Sequence, residues 1–127
     1  MPHLPHHLIP TAAHPIDAGR WRVLVEVDRV TLPVVLEIAD DVLIVHASIA
    51  GLPVEALAGE LLALNRALRR VRIGAADGLV TIWADLDLAA PIEVLDATLA
   101  ALTEAVGRVL ALAGPALGGP GAVVAAA

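Results

Sequence analysis

The chain has 127 residues, enough for one hydrophobic core and too few for two. Apolar residues make up 58% and charged residues 17%, which excludes a disordered polyelectrolyte, and a formal net charge of −6 excludes a generally basic phosphate-binding surface. With no cysteine, no tyrosine and one serine, Ser48, there is nothing from which to build disulfides or thiolate metal sites, and little for nucleophilic catalysis.

Residues 1–19 carry Pro2, Pro5, Pro10 and Pro15, too closely spaced for a helix, and read as a proline/histidine-rich arm. The start lacks the basic and unbroken apolar stretches of a signal peptide. Residues 20–30 alternate, with Trp21, Val23, Val25 and Val27 on one side and Arg22, Leu24, Glu26 and Asp28 on the other, the pattern of a half-buried strand. Residues 34–39 form a second strand with Val34, Leu36 and Ile38 inward, and residues 42–49 a third beyond the turn Asp40-Asp41. A four-residue link over 30–33 places Val27 opposite Leu36 and Val25 opposite Ile38. The acidic turn places Ala39 opposite Val42 and Leu36 opposite Val45.

Pro53 opens a helix on which Val54, Leu57, Leu61, Leu64 and Leu68 form a stripe, widened by Ala58 and Leu62. Residues 71–75 and 79–85 flank Asp77-Gly78, a strong hairpin signal. That turn pairs Ala76 with Leu79, Arg72 with Trp83 and Arg70 with Asp85. Pro91 opens a last helix striped by Ile92, Leu95, Leu99, Leu102, Val106, Val109 and Ala113, and Gly114-Pro115 ends it. The reading is one α+β domain over 20–114, in the order βββ-α-ββ-α: an antiparallel sheet of about five strands packed by two helices. Residues 115–127, rich in Ala, Gly and Pro, read as a flexible tail, because glycines and prolines break what would otherwise be an uncharged stretch long enough to span a bilayer.

Few residues offer chemistry. His3, His6, His7 and His14 sit in the arm, which lacks the rigid four-ligand frame of a structural metal site. His46 lies on the outer face of the third strand, opposite Val35, with Asp28 further along that row and Glu37 diagonal to it. A histidine beside carboxylates is a candidate acid/base, and a cross-strand polar contact is its plainer role. The arginines over 66–72, with Trp83 nearby, are a weak candidate for gripping single-stranded nucleic acid. An outward Trp83 against Arg72, with Arg70 beside them, has the make-up either of a partner-binding anchor or of a cover for the sheet beneath the arm or tail of its own chain.

The run Leu64-Asn65-Arg66-Ala67-Leu68-Arg69-Arg70-Val71-Arg72-Ile73-Gly74, followed by Asp77-Gly78-Leu79-Val80-Thr81-Ile82-Trp83-Ala84-Asp85-Leu86, resembles the YbjN family, whose fold is shared with the class I chaperones of type III secretion. The order of elements from Arg20 to Ala113 is similar too, except that a proline-rich arm stands where the family has a first helix. The resemblance implies a noncatalytic, cytoplasmic bacterial protein that binds a protein partner in a chaperone-like or regulatory way. It also implies a homodimer, and the helix stripe Val54, Leu57, Leu61 and Leu64, widened by Ala58 and Leu62, is broad enough to touch both its own sheet and a partner. No cofactor, nucleic acid or membrane is expected. The alternative is a small enzyme or ligand-binding domain using His46 with Asp28 or Glu37.

Overall fold

The computed structural model describes residues 13–27, 29–76, 78–113 and 124–126. Strands β1 (His14–Asp17), β2 (Arg20–Val27), β3 (Val30–Ala39) and β4 (Val42–Ala50) come first. They are followed by α1 (Val54–Ala67), β5 (Arg72–Ala76), β6 (Leu79–Asp87), α2 (Ile92–Ala113) and β7 (Val124–Ala126). The fold is α+β: one antiparallel sheet in the order β1-β2-β3-β4-β6-β5, with β7 on β4 off this path, and two helices. The order βββ-α-ββ-α holds from β2 to α2, and two more strands extend it at the ends.

Alternation assigns the inner faces as expected. Val23, Val34, Leu36, Val45, Ile49, Val80 and Ile82 are buried beneath the helices. From α2, Leu95, Leu102, Val106 and Val109 complete that core, each at most 1% exposed. From α1, Leu61 is buried, while Val54, Leu57 and Leu64 pack partly against the same core. Buried polar groups on both layers are satisfied: Thr98 donates to the Val94 carbonyl at 2.7 Å, and the Ser48 and Thr81 hydroxyls lie 3.2 Å apart.

Three expectations need correction. First, β2 and β3 are joined by two residues, with Val27 opposite Val30, Val25 opposite Leu32 and Trp21 opposite Leu36. Strand β3 therefore starts at Val30, and the register over β2 is shifted by six residues from the one expected. Arg29, at φ 68°, turns the chain in the left-handed region, a conformation that its residue type does not signal. Pro33, expected in a link, lies inside β3, opposite Leu24. In the alternating ladder its missing N–H points away from β2, toward β4. The β3–β4 ladder accordingly ends at Val35–His46.

Second, the arm boundary at residue 19 falls too late, since His14–Asp17 pair with β2 across a register irregularity between Pro15 and Asp17. The Asp17 carboxylate accepts from Arg20 at 2.6 Å and from the Gly19 amide at 3.1 Å. The Arg20 guanidinium, then that amide, hold the Asp17 carboxyl below the usual aspartate range. A depressed carboxyl favours the paired strand above its ordinary value and loses that contribution as pH falls through the lower folded one. The Gly19 amide resonance should therefore titrate with a midpoint below that of a free aspartate; a midpoint at the ordinary value would refute the pairing.

Third, the stretch read as a flexible tail ends in a strand. Residues 124–126 pair with Ser48–Ala50, on the β4 edge beyond the end of the β3 ladder. Residues 1–12 of the arm, and 115–123 and 127 of the tail, lie outside the described residues.

Candidate functional site: the uncovered face of the sheet

Both helices pack on one face of the sheet, through β2, β4, β5 and β6, and no described helix covers the other. The strand registers carry a single row across all six strands of that second face: His14, Arg22, Val35, His46, Trp83 and Arg72. The next row reads Asp17, Arg20, Glu37, Ile44 and Asp85. At the centre Val35 is only 3% exposed, although no described helix lies over it. Toward the rim Leu24 is 54% exposed, a large apolar side chain left in water.

Trp83 and Arg72 meet on this face as expected, the guanidinium carbon lying 5.3 Å from the indole ring centroid. Such a contact is worth about 0.5–1 kcal/mol at an exposed site. Arg70 does not join them. It lies before β5, at φ 71°, and lines an open depression between α1 and α2 with Arg69, Arg108 and Glu104. The basic run over 66–72 is thus divided: Arg72 belongs to the open sheet face and Arg69 and Arg70 to the helical side.

His46 Nε2 lies 3.6 Å from Glu37 Oε2, so the expected diagonal pair is present, half-exposed. The residue beyond Val35 in the His46 row is Arg22, in place of the expected carboxylate; Asp28 lies outside the described residues. Ser48 follows His46 on the same face, but its hydroxyl partner is Thr81. That leaves the serine without the histidine contact that activates a nucleophile. Among the described residues no three metal-ligating side chains gather. No described helix is long and apolar enough to cross a membrane.

The dimer stripe expected on α1 is directed at the chain's own sheet, with Leu61 only 4% exposed. What α1 leaves outside is Leu62, 54% exposed, beside a shallow groove against β5 lined by Ala58, Ile73 and Ala75. That groove borders a sheet edge, and Asn65 guards it by accepting the Ile73 amide hydrogen on Oδ1 at 2.8 Å. The Asn65 contact escaped sequence reasoning. Its only trace there is an asparagine near the helix end, eight residues before the amide it meets.

No family model, curated protein or solved structure matches this chain. The chemistry of the open face is therefore what bears on function. It is a mixed surface: apolar at Ile44 and Leu24, aromatic at Trp83, and charged along two rows. Side chains of these kinds, presented on a rigid sheet, suit contact with another protein surface better than enclosure of a small molecule.

Proposed function

We propose that this is a noncatalytic protein-binding domain, YbjN-like and homodimeric, acting in the cytoplasm as a chaperone-like or regulatory partner. The carrying observation is the sheet face over which no described helix lies, with Trp83 and Arg72 in contact at 5.3 Å. A fixed aromatic loses little conformational freedom on binding, and such residues recur among those that dominate interface energies. A carboxylate placed there would have to be desolvated by any partner. Trp83→Glu should therefore abolish capture of the proteins that the wild type retains from cells of its source, with its melting temperature within a few degrees of wild type. Retention of every one of those proteins by a folded variant would refute this role for the face.

A second reading is supported by the contact of His46 with Glu37 at 3.6 Å, a pair able to move a proton or hold a small polar ligand. It predicts that His46→Ala removes a small-molecule activity and leaves protein capture intact. The protein-binding reading predicts no such activity to remove.

A further inference from the structure

We infer that the protein which seats on the open face is a second copy of this chain, stacked sheet to sheet about a two-fold axis running along the strands between β3 and β4. This rests on the protein-binding reading of that face and names its occupant.

Centring the axis on the sheet path gives one definite set of facing residues. Six strands in the order β1-β2-β3-β4-β6-β5 have their midpoint between β3 and β4. A two-fold axis along that midpoint lays β2 of one copy over β6 of the other and β3 over β4. Arg20 then stands over Asp85 of the second copy, Arg22 over Trp83, and Val35 over His46, each pair formed twice. The Arg20–Asp85 pair joins opposite charges, a guanidinium lies over an indole, and the buried valine stays covered, while Glu37 falls over Ile44 and His14 over Arg72 of the second copy. The other two-fold stacking, about an axis running across the strands, sets Arg22 on Arg22, Arg72 on Arg72 and Trp83 on Trp83. Like charges directly opposed disfavour it. The charge pattern therefore selects one of the two arrangements.

The size of the face is adequate. Six strands span five gaps of about 4.8 Å and seven residues span six gaps of about 3.4 Å, a footprint of roughly 500 Å² per copy. With side-chain relief included, that reaches the low end of stable interfaces, roughly 600 Å² per partner. The exposed Leu24 falls inside this footprint, over Thr81 of the second copy. Sheets stacked face to face cross at about 30° because each is twisted, so the central pairs align best.

Charge reversal tests this arrangement with two exposed residues. Sedimentation equilibrium should show wild type as a dimer at micromolar concentration. Arg20→Glu and Asp85→Arg should each weaken self-association at least ~10-fold, since each places like charges opposite one another twice. Mixing the two folded variants should restore a dimer containing one of each. In that mixed dimer the introduced carboxylate meets the introduced guanidinium at one contact, and the native Arg20 meets the native Asp85 at the other. Asp85→Arg is the cleaner single variant, because Arg20 also binds Asp17. A wild-type monomer, or variants that dimerise alone as wild type does, would overturn the inference. So would two weakened variants whose mixture stays monomeric. A monomeric wild type that still captures a protein in a Trp83-dependent way would refute the second copy alone. Trp83-independent capture by a wild type that stays monomeric would refute the reading of the face itself.

Discussion

Leu102→Ala should destabilise the fold by about 3–5 kcal/mol, the largest loss expected from any single truncation of the α2 stripe. Leu102 is fully buried in the middle of α2, among Leu95, Val106 and Val109, which are also at most 1% exposed. Truncation removes three heavy atoms from a site where sheet and helix both hold the walls apart, so a cavity remains and its cost adds to the lost transfer energy. Leu61→Ala, at 4% exposure on the shorter α1, should cost about 2–4 kcal/mol. Leu62→Ala, one position on and 54% exposed, should stay within about 0.5 kcal/mol as the matched control. Urea unfolding followed by circular dichroism reads all three. Equal effects at 61 and 62 would show that α1 is rotated from the orientation described.

The second large effect is expected at Asn65. Its Oδ1 accepts the Ile73 amide hydrogen at 2.8 Å, part-buried under α1 at the β5 edge. Asn65→Ala leaves that donor without its acceptor, which should cost about 1–3 kcal/mol. It also frees an edge amide for pairing with another strand, so the variant should associate more readily than wild type. Asn65→Asp keeps an oxygen at the same place and should recover most of the stability, less about 0.3–1 kcal/mol for a negative charge near a helix C-terminus. Thermal melting gives the stability order, and exchange at the Ile73 amide reports the contact directly. An Ala variant that melts with wild type and exchanges no faster would show that the hydrogen bond contributes nothing.

The face of each strand was legible from alternation alone, because a side chain's direction repeats every two residues and needs no knowledge of its partner. The register was legible only where the turn was also legible. Asp77-Gly78 set Arg72 opposite Trp83, and Asp40-Asp41 set Leu36 opposite Val45, both as the structure has them. Over β2 and β3 the faces were right and the partners wrong by six residues. An even shift leaves every apolar side chain on the same side, so the hydrophobic pattern gives no warning of it. What distinguishes the two registers is the left-handed Arg29, whose cost of about 1–2 kcal/mol is accepted because the longer β2–β3 ladder outweighs it.

The sequence by itself determined that the chain is α+β, where its helices start and stop, which of their residues are apolar, and that Trp83 and Arg72 are cross-strand neighbours. Those are local matters, decided by periodicity, proline and glycine within a few residues. Only the tertiary structure decided that β6 lies beside β4, which joins His46 and Trp83 in one row. It also decided that β1 and β7 enter the sheet and that Arg70 turns away from Trp83. Each of these depends on which distant segments meet. That choice rests on burial summed over the whole core rather than on any signal a single segment carries.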